Sequence, residues 1–182
     1  MNLIPNPLHP AVVHFPIVLL LLGAAVAIVA AFWRKHHLPT LAAALLLLGA
    51  LGTWAAVESG ESDGGLLENG SPQIESLVEA HENWAKRTLA ISIIAAFAAV
   101  GSVLAGRWPR IARAVAVVAA VVSAAATYAV YETGHRGGAL VYRHGAGVEV
   151  ADAAKGLDSG MAVGTTQSPG VKVSQKDSRD AD

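Results

Sequence analysis

The chain has 182 residues, 53% of them hydrophobic and only 15% charged, with a formal net charge of −1. Soluble domains carry about a quarter charged residues, so the composition excludes a soluble enzyme and a disordered chain. The lack of basic excess excludes a nucleic-acid binder. With no cysteine, disulfides, thiol catalysis, iron–sulfur ligation and a covalently attached c-type haem are also excluded within this chain.

Four runs match the length of about 20 apolar residues that a spanning helix needs: Phe15 to Trp33, Leu38 to Val57, Thr88 to Gly106 and Ala114 to Tyr131. None holds an ionisable residue, and none shows the polar stripe of a soluble core helix. The first run is no cleaved signal peptide, because no Lys or Arg precedes Arg34. The expected fold is an all-α membrane protein, a four-transmembrane-helix up-down bundle.

Charge sets the expected orientation. The connection Arg34, Lys35, His36, His37 and the group Arg107, Arg110, Arg113 carry bases without acids, which the positive-inside rule places in the cytoplasm. The outer loop 58–87 holds Glu58, Glu61, Asp63, Glu68, Glu75, Glu79 and Glu82 against Lys86 and Arg87, and belongs outside with both termini. Trp33, Trp54, Trp84, Trp108, Tyr128 and Tyr131 stand near span ends, as interfacial anchors do. Residues 1–150 thus form the transmembrane domain, including an outer Gly/His segment at 133–150. Ala151 to Asp182 lacks aromatics and reads as a disordered polar tail.

The string from Thr53 to Gly60 aligns with that from Thr127 to Gly134, position by position in identity or type. Each half also has a histidine at the outer start of its first helix, His14 and His81. The pattern predicts two duplicated helical hairpins, related as parallel repeats. The third helix is expected to begin before the bilayer, at Ser71-Pro72. From there His81 falls in the apolar stripe with Ile74, Leu77, Val78, Ala85 and Thr88. Tyr128, Tyr131, Glu132 and His135 share one face of the fourth helix, which Gly134 is expected to end.

The ionisable groups near the membrane converge on the outer end: His9, His14, Glu58, Glu61, His81, Glu82, Glu132, His135 and His144. Such groups are functional candidates by default. His14 and His81, across the diagonal of the bundle, are expected as the facing imidazoles that a haem b iron needs. The alternative is a transition-metal site built from three or four of His14, His81, His135 and His144 with Glu58 or Glu132. His9, Glu58 and Glu132 are then orienting groups behind the ligands. No span holds the paired mid-membrane histidines of a typical cytochrome b.

The segments HPAVVHFPI from His9 and TGHRGGALVYRHGAGV from Thr133 resemble a bacterial family of predicted four-helix membrane proteins catalogued as domain of unknown function 2231. Gly52, Ala56, Glu58, His81, Glu82 and Ala85 resemble its middle portion, and the resemblance runs from Leu8 to about Val150. It implies a membrane module of the kind found joined to cytochrome c or Rieske-type domains. This chain has neither, so such a partner would be a separate protein. The Thr133 to Val148 segment reads as glycine-bent backbone that carries His135 and His144 over the outer mouth, and Gly137-Gly138 allows close backbone approach.

The expectation is therefore a multi-pass protein of a bacterial inner membrane with a His-rich periplasmic site, serving electron transfer rather than acting as a stand-alone enzyme. Its partners are the lipid bilayer, a periplasmic carrier and, in some states, further copies of itself. The alternative is a cofactor-free scaffold or assembly subunit. A small transporter is disfavoured, since the spans hold no charge and no helix break.

Overall fold

The computed structural model describes residues 9–33, 37–64 and 72–144. Arg34, Lys35 and His36, the Gly/His segment beyond His144, and the tail from Ala151 to Asp182 lie outside the described residues. The elements are α1 (His9–Val12), α2 (His14–Phe32), α3 (Leu38–Gly64), α4 (Pro72–Leu104), a 3₁₀ turn (Ala105–Arg107) and α5 (Pro109–His144). Among the described residues there is no strand.

Prolines mark the starts. Pro10, Pro39, Pro72 and Pro109 stand in the first turns of α1, α3, α4 and α5, where a missing N–H removes no helical bond. Pro16 is different, because it sits inside the run. It cannot donate to the Val12 carbonyl, and the α1–α2 junction falls just before it, at Val13.

Each long helix packs on the next, and α5 closes the ring against α2. The interior is made of small residues: Ala27, Ala43, Ala96, Ala99 and Ala119 surround the fully buried Leu20 and Leu46. Gly23 and Gly49 make room for those two leucines. A Cβ at Gly23 would stand 2.9 Å from Leu46 Cδ2, and one at Gly49 2.7 Å from Leu20 Cδ2. α2 and α3 therefore interlock by exchanging a leucine for a glycine in each direction.

The large apolar side chains face outward. Phe97 is 70% exposed, Leu104 74% and Val121 65%. A soluble bundle would bury these and expose its alanines. Small residues inside and large ones outside is the packing of helices whose surroundings are hydrocarbon, since close approach of backbones replaces a hydrophobic drive to associate. Among the described residues, four helices are long and apolar enough to cross a membrane.

Two helices differ from the expectation at one end. α4 begins at Pro72 as expected, but α5 does not end at Gly134. It runs on to His144, and the segment from Thr133 to His144 is helix rather than bent backbone. Interior glycine costs about 1 kcal/mol relative to alanine. Offsetting this, Tyr128 Oη donates to Glu132 at 3.0 Å, Arg136 pairs with Glu132 at 3.2 Å, Tyr131 stacks on His135, and Leu140 is buried. All three side-chain pairs have i, i+4 spacing, the geometry that supports a helix locally.

Candidate functional site

The buried positions of α2 are Pro16, Leu20, Gly23, Ala24, Ala27, Ala30 and Ala31, and those of α4 are Thr88, Ser92, Ala95, Ala96, Ala99 and Ser102. From Pro16 to Ala30 and from Thr88 to Ser102 the spacing is the same. Two turns before the first position of each set stands a histidine, His9 before Pro16 and His81 before Thr88. The two halves thus repeat in burial register, and the counterpart of His81 is His9.

Both histidines are half-buried and clasp a neighbouring helix. The His9 Nδ1–H donates to the Ala56 carbonyl at 2.8 Å and lies 3.2 Å from Ser59 Oγ. The His81 Nδ1–H donates to the Thr133 carbonyl at 3.0 Å. A carbonyl only accepts, so the proton sits on Nδ1 in both rings and Nε2 is the lone-pair nitrogen. Each ring rests on a glycine one turn past its acceptor. A Cβ at Gly60 would stand 3.0 Å from His9 Cε1, and one at Gly137 2.9 Å from His81 Cε1.

The string alignment pairs Gly60 with Gly134, whereas the contact is made by Gly137. The second clasp is displaced one helical turn along α5, from Val130 to Thr133 and from Gly134 to Gly137. Beneath it, the Thr88 and Thr133 hydroxyls meet at 2.9 Å, and each is also bonded to a carbonyl one turn back on its own helix, Trp84 and Ala129.

The two imidazoles meet at the bundle end with ring centroids 6.3 Å apart and planes at 86°. His81 lies on the charged side of the apolar stretch that begins at Thr88. Burial pushes its imidazole below the ordinary histidine range, and nearby His9 adds to this against the Thr133 carbonyl and Glu82. His81 is therefore neutral at neutral pH, the form that ligates metals.

The other candidates stand apart from this pair. His14 is exposed, and its Nδ1–H donates to the Pro10 carbonyl one turn back on its own segment. The ring facing His81 is thus that of His9, not His14. His135 is exposed and stacked on Tyr131, bordering a shallow open cleft with Gly134, Gly138, Tyr142 and Arg143. His144 is exposed at the last position of α5. Glu58 is exposed, and Glu132 receives Tyr128 and Arg136. The groups that orient the Nδ1 protons of His9 and His81 are backbone carbonyls rather than these carboxylates. Among the described residues, no three His, Asp or Glu side chains gather as a metal-holding group.

Thr88, Thr133 and Gly60 were not singled out by the sequence as parts of the site, whereas Gly137 was read as allowing close backbone approach. One signal was present: each of His9 and His81 precedes a polar or proline position by two turns, followed by a small-residue stripe at the same spacing.

Apolar helices with small residues inside and a histidine clasp at one end define an integral membrane helical bundle. The family model described as predicted membrane protein (DUF2231) matches residues 5–150, and the chain belongs to that family. No curated protein and no solved structure matches it.

Proposed function

We propose that the protein is a multi-pass protein of a bacterial inner membrane in which His9 and His81 are the ligand pair of a redox centre, a haem b iron or another transition metal. Its role is to pass electrons between a membrane donor and a periplasmic carrier, such as a separate cytochrome c or Rieske-type protein. One observation carries this reading: two imidazoles, each donating its Nδ1–H to a carbonyl, meet with ring centroids 6.3 Å apart and planes at 86°. His9 and His81 would hold the ion through their Nε2 atoms, and the ion would supply one-electron redox chemistry there. The carbonyl behind each Nδ1 is the partner that fixes tautomer and ring direction in metal-ligating histidines. The absence of cysteine leaves imidazole as the ligand that suits iron or copper.

A second reading, a cofactor-free scaffold or assembly subunit, is favoured by the same clasps. Each ring ties its own helix to a neighbouring one with no metal involved. His14, His135 and His144 then contribute to neither role at the pair itself.

The two readings separate in one experiment. The protein is expressed with haem and metals supplied and purified in mild detergent. Oxidised and dithionite-reduced visible spectra are recorded alongside metal analysis. The redox reading expects a Soret band that shifts on reduction, or stoichiometric metal, lost in both His9→Ala and His81→Ala and kept in His14→Ala. No Soret band and no stoichiometric metal would overturn the redox reading.

A further inference from the structure

Trp84 lies one turn before Thr88, at the level where the apolar stretch of α4 begins. Two guanidinium groups stack on it: Arg87 Cζ is 5.2 Å and Arg136 Cζ 5.3 Å from its ring. Tyr128 meets the same tryptophan edge to face at 6.3 Å. The acids here gather on two of the three cations, since Lys86 meets both Glu61 and Glu82. Arg136 is paired with Glu132 at 3.2 Å, and the neighbouring Lys86 is paired with Glu61 at 2.9 Å. Arg87 enters no ion pair among the described residues. Arg136 also keeps a buried Nε with no hydrogen-bond partner among the described residues.

Immediately beyond Arg87, on the same stripe of α4, come Ala90, Ile94 and Phe97, all exposed. Their i, i+3, i+7, i+10 spacing puts them in one line along the helix. Ala90 presents a small side chain one turn beyond the cation, and Ile94 and Phe97 continue the apolar track along the helix. A cation held against an indole at the top of an apolar track matches a molecule with an anionic head and a hydrocarbon tail. Guanidinium favours phosphate oxygens, which it meets with paired donors.

We propose that Trp84, Arg87 and Arg136 form a site for the phosphate of an anionic phospholipid, whose acyl chain lies along Ala90, Ile94 and Phe97. Arg87 supplies a cation that enters no ion pair among the described residues, Trp84 lies under both guanidinium groups, and Glu132 keeps Arg136 in place. The site is independent of whether the histidine pair binds a metal.

The test uses the full chain in detergent, with phosphatidylglycerol or phosphatidylcholine added and retention read by native mass spectrometry. One phosphatidylglycerol is expected to stay bound under activation that strips phosphatidylcholine. Arg87→Gln is expected to lower its retention roughly fivefold, the effect of one basic residue near an anionic lipid surface. Arg87→Lys, which keeps the charge, retains most of it, and Arg143→Gln, a charge outside the cluster, retains all of it. Circular dichroism confirms that each variant keeps wild-type helix content. Equal retention of the two lipids, an unaffected Arg87→Gln, or an equal loss in Arg143→Gln overturns the proposal. Displacement of the lipid by excess inorganic phosphate would overturn it too, by assigning the site to a free anion.

Discussion

The rings of His9 and His81 meet edge to face, 6.3 Å between centroids, with each Nδ1–H donated to the carbonyl of a different helix. This contact joins α1 and α4 to α3 and α5. It brings four chain segments together at one end of the bundle, alongside the interhelical Thr88–Thr133 hydroxyl contact and the Lys86–Glu61 ion pair.

His9 and His14 differ in what their loss removes. His9→Gln breaks a bond to another helix, whereas His14→Gln breaks one to its own segment. His9→Gln is expected to destabilise the protein by about 1 kcal/mol, the net value of a hydrogen bond. His14→Gln is expected to fall within ~0.5 kcal/mol of wild type. Loss of helical signal on heating in detergent compares the two.

Glycines three residues apart on α5 should respond in opposite directions. A Cβ at Gly134 meets nothing within 4 Å, while one at Gly137 would stand 2.9 Å from His81 Cε1. Gly134→Ala is expected to stabilise the helix by up to about 1 kcal/mol. Gly137→Ala must displace the clasped ring, and is expected to destabilise by roughly 1–3 kcal/mol. The same thermal assay reads both, and two changes of equal sign would contradict the clasp.

The threonine pair offers a coupling measurement. Each hydroxyl keeps a carbonyl on its own helix when its partner is removed, so the interhelical bond should be worth little. A double-mutant cycle with Thr88→Val and Thr133→Val is expected to give a coupling of about 0.6 kcal/mol, the average for such bonds between membrane helices. A coupling several times larger would mean that the pair holds the second hairpin together.

Orientation is open to direct labelling, because the chain has no cysteine of its own. Single substitutions Ser62→Cys and Arg110→Cys fall at exposed positions on helices α3 and α5. With the positive-inside arrangement, an impermeant maleimide applied to intact cells should modify Ser62→Cys. Arg110→Cys should react only after permeabilisation. The reverse pattern would place the histidine clasp in the cytoplasm.

Much of the fold was legible because span length and charge are local properties. Leu38 and Pro72 open helices where the sequence placed them, since proline and composition act within a turn. The end of α5 was misread because Gly134, Gly137 and Gly138 lower helix propensity locally, while the side-chain pairs and the His81 contact that sustain the helix offset that loss. The partner of His81 was misread for a related reason. His14 sits at the start of the apolar run, and hydropathy gave no sign that α1 extends the segment back to His9.

The amino-acid sequence by itself determined that this protein belongs in a bilayer, with four apolar helices and its ionisable groups gathered beyond them. Those features follow from composition along the chain, and no packing arrangement alters them. Tertiary structure alone decided which histidine faces which. A helix end offers many side chains at similar depth, and the choice among them rests on the rotation of each helix. That rotation is set where Leu20 and Leu46 lodge on Gly49 and Gly23, and where Gly60 and Gly137 leave room for the rings of His9 and His81.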